Sequence, residues 1–436
     1  MIRIDLFCES GEEYGLGHLN RCKNFLLLLE QNYPSIVFQS TFHSLPCPNI
    51  NGQFEIVIID SYIASLEFYH LLYKNSKLLL CLDDFLRLPY PKKSLILSPT
   101  YGSEQQKKNF YGGKDYVILN PIFHTPAPLQ SERKNHILIT LGGSNQNDLI
   151  EHIVQILSPL SSLVFHIISP SYTKVSKQIK TYSNLSSYEV CSLIDSCEFA
   201  ICSSGGSLNE ILSRRKKTIA LCIAKNQKRQ LQSYCDSKLV LPIFNPYQSL
   251  ETKLIQCFKR LPTLNTPKIA FGSKLPQLFK TALLHFLTSP SYKPFEFLTY
   301  QEKIRVLHLR NQNSVRQASF NSSAISKKTH LLFIKQLKQE DFYFAFLMNK
   351  KIYGVAYLNL IHKNIGIYRR KNALGLGSHM IKTLISIATK LNLPTIFLKV
   401  LKSNTKALHF YQKHQFQVIK EEQNFFIMQK NLRKTE

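Results

Sequence analysis

Residues 199–213 read FAICSSGGSLNEILS. Phe199 to Cys202 are an apolar run of the length a buried strand takes, and Ser203 to Gly206 are all small. From Ser207 onward the apolar residues Leu208, Ile211 and Leu212 recur at helical spacing. A strand, a turn of small residues and a helix in direct succession make the opening of a βα unit, the building block of a parallel sheet.

The same rhythm extends outward on both sides. HILITLGG (136–143), SLVFHIISP (162–170) and TIALCIA (218–224) read as strands, with NDLIEHIVQIL (147–157) as a helix between the first two. Upstream, IRIDLF (2–7), FEIVIID (54–60) and KLLLCLDD (77–84) are strands and LNRCKNFLLLLEQ (19–31) a helix. Near-continuous apolar strands separated by helices imply sheets covered on both faces. The pattern runs once over residues 1–131 and restarts over 132–287, which predicts two doubly wound Rossmann-like α/β domains facing a cleft.

At LTSPSYKPFEF (287–297) the texture changes to prolines and small polar residues, so 288–299 reads as a linker. Beyond it, FYFAFLMNKKIYGVAYLNL (342–360) reads as a hairpin turning at Asn349–Lys351. The strand NIGIYRR, a helix from about Gly377 to Leu391, the strand TIFLKVL, a further helix and the strand NFFIMQKN follow. Residues 300–436 are therefore expected to form a mixed α/β domain.

Composition narrows the function classes. The 436 residues carry 55 Lys and Arg against 28 Asp and Glu, a net charge of +27. The lysines are scattered rather than gathered into a stripe with interleaved aromatics, which favours anionic small-molecule substrates over nucleic acid. No apolar run is long enough for a membrane span, and the N-terminus lacks the apolar core of a signal peptide, so no membrane partner is expected. The ten cysteines all lie between Cys8 and Cys257 without a CxxC pair or a paired-His pattern, so no metal is expected and a reduced, cytoplasmic setting fits.

Ligands of open α/β sheets bind beyond the carboxyl ends of the strands, and the chemically distinctive residues gather there. Gly15, Gly17 and His18 follow the first strand, Asp60, Ser61 and Tyr62 the strand EIVIID, and Asp83 and Asp84 the strand KLLLCL. Gly142 and Gly143 end ILIT, Ser203 to Gly206 end FAIC, and Asn226 follows IALCIA. The turn at Ser204, Gly205, Gly206 and Ser207 lets a ligand approach the backbone and presents free N–H groups at a helix start, a cradle for a diphosphate. Glu210, one turn in, is placed to accept from ribose hydroxyls; alone, the same residues also make a plain tight turn with a favourable acidic helix start. Adjacent on a strand end, Asp83 and Asp84 point opposite ways and suit a helix cap or a sugar contact better than a shared ion.

YGLGHLNRC (14–22) together with SSGGSLNE (203–210) resembles the two-domain nucleotide-sugar glycosyltransferase (glycosyltransferase-B-like) fold. The ordered set GLGHLNRC, IIDSY, LDDF, LGGSNQND, SSGGSLNE and KNQ resembles, more narrowly, the UDP-sugar hydrolases of pseudaminic acid biosynthesis over about residues 1–287. That family releases 2,4-diacetamido-2,4,6-trideoxy-altrose from its UDP conjugate without a metal. The resemblance implies His18 as the general base for water attacking the anomeric carbon, with an ordinary pKa of about 6.5 leaving it largely neutral at pH 7. It further implies Tyr62 and Asn226 as holders of sugar or water, and Gly17, Gly143, Ser204, Gly205, Gly206, Ser207 and Glu210 as substrate contacts.

In the C-terminal part, NALGLGSHMIKTLISIA (372–388) puts a Gly-x-Gly turn at a helix start, again an anion cradle. With NTKALHFYQKHQF (404–416) it resembles the Gcn5-related N-acetyltransferase (GNAT) family over about 300–431. LRNQNSVRQASFNSSAISKKTHLLFIKQL (309–337) narrows this to acetyltransferases acting on 4-amino UDP-sugars of the same pathway. The resemblance implies acetyl-CoA as co-substrate, held by Ile367, Asn372, Gly375, Gly377, Ser378 and Asn404, and Tyr411 as the acid that protonates the departing thiolate. Three positions depart from the family: Asn372 replaces the Arg or Gln opening the turn, Gln415 replaces a Gly, and Lys399 stands where relatives have a basic Glu. Lys399 is thus expected either to face the surface or to mark a weakened or water-relayed site. A fused UDP-sugar hydrolase and N-acetyltransferase is the reading that unites both halves. The alternative is a nucleotide-sugar glycosyltransferase with a degenerate CoA-binding or docking C-terminal domain.

Overall fold

The computed structural model describes every residue except 11–16, 47–49, 51, 85, 127–132, 143–145, 161 and 433–436. The chain divides into two compact units, one holding residues 5–29 and 40–278 and the other holding 1–4, 30–39 and 279–436.

The first unit is built on two six-stranded sheets. The first sheet comprises β1 (Ile2–Glu9), β2 (Phe38–Leu45), β3 (Phe54–Asp60), β4 (Ser76–Leu82), β5 (Leu95–Ser98) and β6 (Phe110–Gly112) in the order β2-β1-β3-β4-β5-β6. Helices α1 (Gly17–Asn32) and α2 (Leu66–Asn75) follow β1 and β3. From β3 to β6 the pairing is parallel. The second sheet comprises β7 (Arg133–Thr140), β8 (Val164–Ile168), β9 (Ile179–Tyr182), β10 (Cys197–Ser203), β11 (Lys217–Leu221) and β12 (Leu241–Ile243) in the order β12-β11-β10-β7-β8-β9. It is parallel throughout. Its helices are α3 (Asn147–Leu157), α4 (Ser187–Ser196), α5 (Gly206–Ser213), α6 (Lys228–Asp236) and α7 (Leu250–Arg260).

The apolar runs explain these elements. Ile137 and Ile139 of β7 pack into one core layer while Leu138 between them packs into another, because successive side chains point to opposite faces. Helix α3 buries Leu149, Ile150, Ile153, Val154 and Leu157, the three-and-four spacing of one helical face. Helix α4 opens with a reciprocal capping box between Ser186 and Glu189.

Both sheets reverse their winding direction once. In the first the reversal lies between β1 and β3, in the second between β7 and β10. Such switch points leave a crevice beyond the strand ends. Glu9 and Asp60 end the first pair of strands, and Thr140 and Ser203 end the second.

The other unit carries α8 (Leu275–Leu287) over most of its length, then an antiparallel sheet β13-β14-β15-β16 of Tyr292–Pro294, Asp341–Met348, Lys351–Asn359 and Ile365–Arg369. Tyr292–Pro294 lies inside the stretch expected to be a linker, yet it pairs with β14. Helices α9 (Tyr300–Arg310), α10 (Asn313–Gln317) and α11 (Lys327–Lys335) precede β14. The β14–β15 hairpin turns at Asn349 and Lys350, both with positive φ (48° and 61°), the left-handed pair a two-residue hairpin turn demands. Helix α12 (Leu376–Lys390) leads to β17 (Thr395–Leu401), α13 (Thr405–Lys413), β18 (Gln417–Glu421) and β19 (Phe425–Asn431), the strands ordered β17-β19-β18.

Candidate functional site

The crevice of the first unit is a cavity of about 1250 Å³ lined by residues of both its sheets. Glu9, Gly17, His18, Arg21, Tyr62 and Asp84 line it from one side. Ser204, Gly205, Gly206, Ser207, Glu210 and Asn226 line it from the other. Gly15 and Gly143 lie outside the described residues; Gly142, two residues beyond β7, has φ +91°, a conformation that favours glycine.

His18 is the second residue of α1, and its Nδ1 is 2.7 Å from Oδ1 of Asp60 at the end of β3. Arg21, one turn along α1, donates from Nε to Oδ2 of Asp60 at 2.7 Å and from Nη2 to Oδ1 at 2.6 Å. The remaining Arg21 nitrogen, Nη1, reaches both oxygens of Asp84 at 2.9 Å. Tyr62 donates its hydroxyl to Asp84 Oδ2 at 2.6 Å, Thr100 donates to Oδ1 at 2.6 Å, and the Tyr62 ring stands edge-on to His18 at 4.6 Å between centroids.

Electrostatics orders this network. Burial alone would raise the carboxyls of Asp60 and Asp84, but the Arg21 guanidinium between them holds both below the ordinary carboxylate value. Asp60 is therefore an ionised acceptor, so Nδ1 of His18 donates and Nε2 keeps its lone pair. Burial opposes the imidazolium of His18, yet the hydrogen bond and charge of Asp60 outweigh it and raise its pKa above 6.5. The Asp60 carboxylate thus lifts the imidazole above the ordinary value of about 6.5 that the sequence alone suggests. Asp84 anchors Arg21 and Tyr62 while lining the cavity. Asp83 accepts from the Arg87 N–H at 2.5 Å and from the Tyr90 hydroxyl.

On the opposing wall, Ser204 is fully buried and turns its hydroxyl away, donating to the Leu221 carbonyl at 3.0 Å. Its N–H donates to the same carbonyl at 2.9 Å, so Ser204 ties the turn to β11 and leaves the N–H groups that follow it to face a ligand. Gly206 and Ser207 open α5, whose first N–H groups have no partner within the helix. Burial pushes the Glu210 carboxyl up to about 7. Asn226 sits in the short helical turn Lys225–Gln227. Arg21 and Glu9 were not singled out from the sequence; "HLNR" places Arg21 one helical turn beyond His18, a spacing that signals a shared face.

In the other unit, Asn364, just before β16, forms an isolated bridge with Phe397 of β17, and a cavity of about 590 Å³ runs along both strands. Ile367, Lys399, Asn404 and Tyr411 line it, with Arg310 and His330. Asn372, Gly375, Gly377 and Ser378 gather instead at the start of α12, outside that lining. Gly375 has φ +73°, and a Cβ there would meet nothing within 4 Å, so the turn is an open cradle. Asn404 caps α13 by accepting from the Ala407 N–H at 3.1 Å, and the Ser378 hydroxyl is 3.1 Å from Nε2 of His414. Tyr411 is buried, and burial raises its hydroxyl pKa. Lys399 is exposed yet lines the cavity, its ammonium 5.1 Å from the Phe425 ring centroid. No Asp or Glu is among the lining residues. No group of three or more metal-ligating side chains occurs among the described residues, and no helix among them is long and apolar enough to cross a membrane.

Residues 312–416, which hold the parted strands and the glycine-opened helix, match the acetyltransferase (GNAT) family. The chain belongs to that family through its C-terminal part. Over 140 residues it is 30% identical to the acetyltransferase PseH of Campylobacter jejuni, a match covering 31% of this chain and 88% of that protein. The crystal structure of Campylobacter jejuni N-acetyltransferase PseH in complex with acetyl coenzyme A aligns with 26% identity and a TM-score of 0.28, over 33% of this chain and 98% of that one. Over 247 residues, 53% of its length, the chain is 30% identical to a Helicobacter pylori protein. That protein is named pseudaminic acid cytidylyltransferase and UDP-2,4-diacetamido-2,4,6-trideoxy-beta-L-altropyranose hydrolase. The chain spans 46% of that relative's length.

Proposed function

We propose that the chain is a bifunctional cytoplasmic enzyme of pseudaminic acid biosynthesis. In this reading residues 1–131 and 132–287 are glycosyltransferase-B-like domains that hydrolyse UDP-2,4-diacetamido-2,4,6-trideoxy-β-L-altropyranose. Residues 300–436 N-acetylate the 4-amino UDP-sugar precursor with acetyl-CoA. The similarity to a hydrolase-named relative and membership of the GNAT family support the two halves.

The observation that carries the hydrolytic half is that His18, held by Asp60 behind it, lines the same cavity as the start of α5. With Nδ1 engaged by Asp60, Nε2 is the atom free to take a proton from water attacking the anomeric carbon. The leaving UDP needs no proton if its charge is met by the N–H groups and positive end of α5. Glu210 would accept from the ribose hydroxyls, and Tyr62 and Asn226 would bound the sugar.

In the acetyltransferase half, the Gly375 turn and the N-terminus of α12 fit a pyrophosphate, and the parted edges of β16 and β17 fit an extended pantetheine arm. Acetyl-CoA supplies the activated acyl group. Tyr411 would give its proton to the departing sulfur. Arg310, Arg369 and Lys399 make the cavity cationic, which suits a nucleotide-linked acceptor.

Incubating the protein with acetyl-CoA and the 4-amino UDP-sugar, and following products by mass spectrometry, tests both halves. The expected result is acetylated UDP-sugar from the C-terminal site, and UDP with free sugar when the diacetamido altrose conjugate is supplied without an acceptor. UDP release only in the presence of an acceptor would favour the glycosyltransferase alternative.

A further inference from the structure

We propose that Glu9 is a second catalytic acceptor of the hydrolytic site, orienting the attacking water together with His18. This deepens the hydrolase reading and rests on it. Glu9 ends β1 at the switch point of the first sheet, lines the cavity, and is 1% exposed. Its Oε1 accepts three hydrogen bonds, from the Ser61 hydroxyl at 2.5 Å, the Tyr62 N–H at 2.8 Å and the Ile63 N–H at 3.0 Å. Its Oε2 is buried, has no hydrogen-bond partner among the described residues, and lies 3.7 Å from Nε2 of His18.

A buried carboxylate oxygen with no donor is costly, and a fold retains one where a ligand satisfies it. The separation of 3.7 Å is too long for a direct hydrogen bond. In the neutral ring, the form that acts as a base, Nδ1 donates to Asp60 and Nε2 is an acceptor too, so two acceptors face each other with no donor between them among the described residues. Water brings two O–H groups on one oxygen and satisfies both, which turns a lone pair of that oxygen outward to the substrate. As the water oxygen bonds to C1, the C1–O bond to the diphosphate breaks and its electron pair leaves with UDP. One water proton passes to Nε2 of His18. The other stays on the new C1 hydroxyl, which donates to Glu9. The imidazolium so formed stands between the carboxylates of Asp60 and Glu9, which favour it electrostatically.

Glu9→Gln separates this role from scaffolding. The amide oxygen can still accept from Ser61, Tyr62 and Ile63, while the NH₂ group turned to His18 donates where an acceptor is needed. The expected result is a fall in kcat for UDP release of about 100-fold, with the Kd for UDP changed less than about threefold and the melting temperature retained. The acid limb of the pH–rate profile should also move to lower pH, because one negative charge near the imidazole is gone. The other groups facing His18, namely Asp60, Arg21, Asp84, Tyr62 and Cys8, are unchanged in this variant. Wild-type kcat and an unshifted acid limb in Glu9→Gln, alongside a dead His18→Asn, would overturn the role of Glu9 and leave the hydrolase reading standing. Undiminished UDP release by His18→Asn would instead remove the hydrolase reading and the role of Glu9 with it.

Discussion

His18 and Asp60, forty-two positions apart in the chain, are joined Nδ1 to Oδ1 at 2.7 Å, with Arg21 bound to the same carboxylate. One residue comes from the start of α1, the helix that follows β1, and the other from the end of β3, and the sheet order places β1 and β3 side by side. Asp60 thus fixes the imidazole's tautomer while Arg21 keeps Asp60 ionised. Replacing Asp60 by Asn retains shape but removes the charge that holds Nδ1 as donor. UDP release should fall by about 10²- to 10⁴-fold, as loss of an orienting carboxylate does in hydrolytic triads. The variant should also lose about 3 kcal/mol of stability in chemical denaturation, since Arg21 keeps only Asp84 as a buried partner. Unchanged kcat would show that His18 does not act through Nε2.

The pH dependence follows from the same contact, with opposite signs for activity and folding. The folded pKa of His18 is raised above 6.5. As a base it is competent only above that raised value, so the acid limb of UDP release should lie above pH 6.5. Its contribution to stability is complete below 6.5 and is lost as pH rises through the folded value. Asp60 and Asp84, held below the ordinary 3.8, stabilise the fold above that pH and lose their contribution as pH falls through their lowered values. A pH–rate profile and denaturation at several pH values check both signs.

Much of this arrangement was legible in the sequence. The inner segments of β3, β4, β7 and β10, namely residues 56–59, 78–82, 137–139 and 199–202, are buried on both faces and appear as apolar runs, and α3 follows its periodicity residue for residue. Strand β2, FQSTFHSL, is mostly exposed at the sheet's edge, and β18 is exposed along its length, so neither carries an apolar signal. Their existence depends on ladder pairing, which local pattern does not report. The turns at Gly17–His18 and Ser204–Ser207 were readable because small residues mark strand ends. The partnership of Glu9, Arg21 and Asp60 was not, because it is made across elements and only the sheet order creates it.

Tyr411→Phe removes the buried hydroxyl that lines the C-terminal cavity without altering its packing against Phe416. Acetyl transfer should slow by about 10²-fold or more while UDP release remains at the wild-type rate. Loss of both activities would argue against two separate sites.

Lys399→Glu restores a carboxylate to a cavity whose lining has none. A glutamate on β17 would accept a proton from the attacking amine, where an ammonium repels it. Acetyl transfer to the 4-amino UDP-sugar should rise by about tenfold or more, measured by isotopic acetyl incorporation. No change would mean that deprotonation runs through another wall of the cavity.

The most direct test of the central claim is hydrolysis of the UDP-sugar in ¹⁸O-water, with the UDP analysed by mass spectrometry. Attack at the anomeric carbon by a His18-activated water predicts UDP free of ¹⁸O, its β-phosphate keeping the original bridging oxygen, and no UDP at all from His18→Asn. Heavy oxygen in the β-phosphate of UDP would place the attack on phosphorus and contradict the account.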